Sequence, residues 1–205
     1  MSKNKGPSRS LIKASNRKKH NHGRDAMQRR IKASEICLVV IDVPNVNVSR
    51  RTHYADNKIS QAAGFEYDKF EHACMRYLHN CHPDKFISLE LVAFTNQRKN
   101  RNYDVLIELN DRSNWSVIRK PKIGDSDIDD DICSYVDFYI EEHPVMHVIL
   151  AGNDLKNHIP VASSLVEQNI RATLACYYSQ FLPSTKIHLK NIEGIDSFDI
   201  IKHLK

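Results

Sequence analysis

Three short stretches of the chain gather the carboxylates and amides that hold divalent cations. Asp42 closes the apolar run Cys37-Leu-Val-Val-Ile41 and leads into Val43-Pro44-Asn45. An acid ending a buried strand lies at the sheet edge where open α/β folds bind ligands, although Asp also caps helices there. Asp125-Ser-Asp127-Ile-Asp129-Asp130-Asp131 packs five acids into seven residues at a helix start. The helix dipole favours one or two acids in a first turn. Five repel one another by about 1 kcal/mol per exposed pair at ~4 Å, a strain that a bound cation or a held proton relieves. Asp127, Asp130 and Asp131 fall on adjoining helical faces, while Ile128, Ile132 and Val136 turn to the core. The third stretch, Ala151-Gly152-Asn153-Asp154, follows the apolar strand His147 to Leu150; Gly152 permits a tight turn, and Asp154 also suits an N-cap.

Oxygen ligands drawn from separate loops suit Mg²⁺ or Mn²⁺, and such sites hydrolyse phosphodiesters. A calcium-loop reading fails, because the required Gly is Asp130 and the required Glu is Val136. His72, Cys74, His79, Cys81 and His82 cluster without the paired spacing of a zinc site. Neither phosphate-binding glycine signature nor a G-x-S-x-G elbow occurs, which removes support for nucleotide cofactors and serine hydrolysis.

Positioning these stretches requires strands alternating with helices. Strands are expected at Ile36 to Ile41, Phe86 to Phe94, Ser116 to Arg119, His147 to Leu150 and Ala172 to Tyr177. Helical spacing appears in Phe70 to Leu78, Tyr103 to Ile107, Ile128 to Tyr139 and Ile159 to Val166. The stretch Tyr178 to Ile187 reads as a surface connection, and Ile192 to Ile201 as a closing helix. The expectation is an α/β domain over 35–205, with a mostly parallel five-stranded sheet covered on both faces.

Residues 1–34 hold eleven Lys or Arg against the single acid Asp25, a formal +10, which leaves about −5 for the rest of a chain whose total is +5. Too few apolar residues are present there to order the segment, so a disordered arm is expected. Arg17, Lys18 and Lys19 suit a phosphate backbone, as do Arg98, Lys99 and Arg101 after the second strand and Lys120 and Lys122 before the acidic helix. A solvated tail or a nuclear or nucleoid localisation signal has the same composition. No run of about eighteen apolar residues occurs, and the basic start is not followed by the apolar core expected of a secretory signal. The expected location is intracellular, in the cytoplasm, with the five cysteines as free thiols.

Ile41-Asp42-Val-Pro-Asn45 resembles the I-D-x-x-N opening of the NYN group of PIN-like ribonucleases. The acidic helix from Asp130-Asp131-Ile132 to Asp137, the strand and turn ending in Ala151-Gly152-Asn153-Asp154 and the closing helix around Ile195 to Ile201 follow in that group's order, so the resemblance covers about residues 35 to 203. It implies a PIN-like three-layer fold and a metal-dependent endoribonuclease, in which water activated by one or two Mg²⁺ or Mn²⁺ ions attacks the phosphate in line. Carried over, Asp42 is the central ligand, Asn45 supports it, Asp131 is the helix carboxylate with Asp130 beside it, and Asp154 completes the set. Val43 stands where the family has Gly, and Asn153 where its turn has an acid, which would remove one charge from the metal site. These departures leave open a non-cleaving RNA-binding or assembly module. RNA is the implied partner, with self-association or a protein partner open.

Overall fold

The computed structural model describes residues 35–57, 65–96, 109, 114–120 and 128–203, all within the compact unit Glu35–Lys205. Its elements are β1 (Glu35–Asp42), α1 (Val43–Asp56), α2 (Tyr67–Cys81), β2 (Ile87–Asn96), β3 (Trp115–Lys120), α3 (Asp129–Glu142), β4 (Val145–Ala151), α4 (Leu155–Glu167), β5 (Arg171–Cys176), α5 (Pro183–Lys190), β6 (Ile195–Asp199) and α6 (Ile200–His203). The strands form one sheet in the order β3-β2-β1-β4-β5-β6, and every neighbouring pair is parallel.

The central strand explains the layering. Side chains alternate across a strand, so Cys37, Val39 and Ile41 face one side and Leu38 and Val40 the other. The first set packs with Val43 and Val46 of α1 and Phe70, Cys74 and Leu78 of α2. The second packs with Ile132 and Val136 of α3 and Ala162 and Leu165 of α4. A strand covered on both faces has no polar face, which is why residues 37–41 read as an unbroken apolar run. Each such Leu, Ile or Val contributes about 1.5–3 kcal/mol on burial.

The expected α/β class is present, with six strands in place of five. The closing segment is where the expectation fails: Ile195–Asp199 is a strand, not a helix. Its buried residues Ile195 and Phe198 are three apart, a helical spacing, yet they pair with Ala172 and Ala175 on the open edge of β5. The stretch Tyr178 to Ile187, read as a connection, contains a 3₁₀ turn at Tyr178–Gln180 and the start of α5. A helix also starts directly after Asp42. Its buried stripe is only Val43, Val46, Ser49 and His53, half of it polar, so hydrophobic periodicity does not reveal it. The expected Tyr103 to Ile107 helix lies outside the described residues. No helix among the described residues is long and apolar enough to cross a membrane.

Candidate metal centre

The strand order reverses direction at one place. From β1 the chain moves outward through β2 and β3; it then returns to the other side of β1 for β4, β5 and β6. The crevice between the carboxyl ends of β1 and β4 is the topological switch point, where open α/β sheets bind ligands. In dinucleotide-binding sheets of this order a glycine-rich turn there presents a helix N-terminus to an anion. Here the chain's own carboxylate occupies that position. Asp42 is the N-cap of α1 and its Oδ1 accepts from the Asn45 backbone N–H at 3.0 Å, while Pro44 in the first turn has no N–H to satisfy. Capping uses one of roughly four lone-pair positions of a carboxylate. The turn is therefore acidic where the dinucleotide-binding turn is glycine-rich.

The acid that α3 brings to this crevice is Asp129. It is the first residue of the helix and lies three and seven residues before the buried Ile132 and Val136, on the sheet-facing stripe, only 4% exposed. Asp131, the expected helix ligand, is rotated away and pairs with Lys120 Nζ at 2.7 Å, both side chains being partly exposed. Asp130 is solvent-exposed. The cause is helical phase: the apolar residues Ile132 and Val136 set which face meets the sheet, and Asp129 shares that face.

Beyond β4 the turn divides its work among three residues. Gly152 sits where any Cβ would lie 2.8 Å from His158 Cε1, 3.4 Å from Asn45 Oδ1 and 3.6 Å from Asp42 Cβ, so its bare backbone lets these groups converge. Asn153 is a clamp. Its backbone N–H donates to Asn45 Oδ1 at 2.6 Å, its Oδ1 accepts from the Tyr177 N–H at 2.7 Å, and its Nδ2 donates to Tyr177 O at 3.2 Å and Gln180 Oε1 at 2.9 Å. With its amide spent on the β5 side, it is not among the residues lining the crevice. Asp154 stands at the N-cap of α4 without a capping hydrogen bond. Its Oδ2 instead shares the amide of Asn157, at 3.1 Å, with Asp129 Oδ2, at 2.7 Å.

One turn into α4, His158 is 3% exposed on the inner stripe with Val161, Ala162 and Leu165. One of its ring nitrogens and one oxygen each of Asp42 and Asp129 lie within 4.8 Å of one another. Burial pushes its pKa down to about 4 against the pull of Asp154, so the ring is neutral near pH 7. A cleft of about 230 Å³ opens at two of the trio, Asp42 and Asp129, and is lined also by Pro44, Asn45, Val48, Asn96, Ile128 and Asp154, with His158 not in its lining. At roughly 30 Å³ per water, that is room for a hydrated cation and a phosphate group.

The structure thus brings Asp42, Asn45 and Asp154 of the expected set together and leaves Asp130, Asp131 and the Asn153 side chain apart. Arg17, Lys18, Lys19, Arg98, Lys99, Arg101 and Lys122 lie outside the described residues, as do Asp125 and Asp127. Asn157 and His158 escaped the sequence reading, and Asp129 entered it only as one of five clustered acids, not as a ligand. One signal pointed to two of them: Asp129 and His158 are polar residues at the first position of an otherwise apolar helical stripe. Two carboxylates and an imidazole from separate elements suit a divalent cation. At an effective dielectric constant of ~20, two carboxylates within such a distance repel by at least about 3 kcal/mol, which a cation between them offsets.

No protein-family model matches this sequence, and no curated protein does. Among solved structures, it is similar to a protein of unknown function from Vibrio parahaemolyticus. The TM-score is 0.54 at 16% identity, with 82% of this chain and 94% of that one covered. At that identity the likeness concerns the fold alone.

Proposed function

We propose that this domain is a metal-dependent ribonuclease of the PIN-like kind, with Asp42 and Asp129 holding a divalent cation of the Mg²⁺ or Mn²⁺ class. The observation that carries the reading is the meeting of these two buried acids, from β1 and α3, at the switch point of a parallel sheet, with Asp154 at the rim. A cation bound there supplies polarisation of a phosphoryl oxygen and a lowered pKa for a bound water. The chain's own residues do the rest. Asn45 joins the first turn of α1 to the turn after β4 through the Asn153 N–H, and Asn157 keeps Asp129 and Asp154 side by side. The +10 segment before residue 35 would add affinity for an RNA backbone by releasing counterions, in an intracellular setting.

The test is incubation of the full chain with end-labelled single-stranded RNA in Mn²⁺ or Mg²⁺, beside Asp42→Asn and EDTA. Cleavage that disappears in both controls supports the reading. Binding without cleavage in every condition assigns the domain to the non-cleaving, RNA-binding class.

A further inference from the structure

We propose that His158 is the third protein ligand of this cation and that its nitrogen turns the site from Mg²⁺ toward Mn²⁺. The inference rests on the metal-site reading above and goes beyond it, since that reading needs only carboxylates.

Two buried histidines in the same molecule make the contrast. His147 is fully buried and both its nitrogens are engaged, Nδ1 with His82 Nε2 at 3.0 Å and Nε2 with Thr173 Oγ1 at 2.7 Å. That is how a histidine used for packing meets its polar needs. His158 is almost as deeply buried, yet its Nδ1 has no hydrogen-bond partner among the described residues. Leaving such a nitrogen unmet costs about 1–3 kcal/mol, and an aliphatic residue on the α4 stripe would avoid the cost. The surroundings accommodate the ring all the same: only a residue without Cβ at position 152 leaves space for Cε1. Imidazole nitrogen is the commonest side-chain donor to metal ions.

The donor set follows. Mg²⁺ demands near-ideal octahedral oxygen coordination and sheds water reluctantly, whereas first-row transition ions accept imidazole readily. Two carboxylates and one imidazole therefore favour Mn²⁺ over Mg²⁺. Loss of a partner outside the ligand shell costs about 10–100-fold in metal affinity, so loss of a direct donor should cost at least about tenfold.

The experiment binds Mn²⁺ to the full chain, with Kd read from the free-ion EPR signal, Mg²⁺ affinity from competition, and directly bound nitrogen from ¹⁴N modulation in pulsed EPR. Wild type, His158→Gln and Asp42→Asn are compared. The expected result is one Mn²⁺ with a ¹⁴N coupling in the wild type. In His158→Gln the coupling disappears and Mn²⁺ binding weakens at least about tenfold, while Mg²⁺ affinity changes much less. Mn²⁺ that binds in an Asp42-dependent manner without ¹⁴N coupling overturns the role of His158 and leaves the carboxylate site standing. Mn²⁺ binding that ignores Asp42→Asn, or none at all, removes the site itself. Should His158→Gln fail to fold, the wild-type nitrogen signal decides alone.

Discussion

Asn153→Asp restores on paper the acid that the turn after β4 lacks, and the structure predicts that it harms the protein without helping metal binding. The Asn153 amide donates to Tyr177 O and Gln180 Oε1, while its oxygen accepts from the Tyr177 N–H. A carboxylate retains only the last of these and sets an acceptor against two acceptors. Gln180 cannot turn its amide to compensate without giving up its own donation to Ser49 O. Two lost hydrogen bonds at about 1 kcal/mol each, plus the penalty for facing acceptors, amount to about 2–4 kcal/mol. That is a large share of a typical domain stability of about 5–15 kcal/mol. The assay is urea denaturation of wild type and variant at pH 7 and pH 5, with Mn²⁺ titrations of both. Facing acceptors raises the folded-state pKa of the new carboxyl, and once protonated it donates one hydrogen bond, so the deficit should shrink at pH 5. A variant as stable as wild type that binds Mn²⁺ more tightly would refute the clamp and make position 153 a ligand.

Three further outcomes follow from the geometry. Asp129→Asn should abolish Mn²⁺-dependent cleavage and weaken Mn²⁺ binding at least about tenfold, whereas Asp131→Asn, which loses only a partly exposed pair with Lys120 worth about 0–1 kcal/mol, should leave both nearly unchanged; equal effects in calorimetric titration would contradict the observed helix phase. Gly152→Ala forces His158 away from a Cβ at 2.8 Å, so a cost of about 1–3 kcal/mol and weaker Mn²⁺ binding are expected from paired melting and binding curves. Stability should also fall on acidification. Burial, with His82 and Arg171 nearby, pushes the His147 pKa down to about 3, so between there and the unfolded value near 6.5 the unfolded chain binds the extra proton. The contribution is full above pH 6.5 and declines below it, by about 1–2 kcal/mol at pH 5. Denaturation midpoints that do not move between pH 7 and 5 would argue against a neutral, buried His147.

What the sequence determined alone is what local patterning encodes. Five consecutive apolar residues ending in Asp42 specify a strand buried on both faces and the edge at which it stops, and the acid-rich turn before Ile132 specifies a helix entering near that edge. Tertiary structure decided which acid arrives. Asp129, Asp130 and Asp131 are neighbours in sequence but 100° apart around a helix, and only the docking of Ile132 and Val136 against the sheet selects Asp129. The same holds for Asn153, whose chemistry suits a site but whose amide is claimed by the backbone of Tyr177, a residue 24 positions away that the parallel pairing of β4 and β5 brings alongside. His158 looks like one more residue of an amphipathic helix until Gly152 and the two acids close around it. Strand ends are one-dimensional signals, whereas a ligand set is a meeting of side chains from β1, α3 and α4, and their relative rotation is fixed only when the two cores pack.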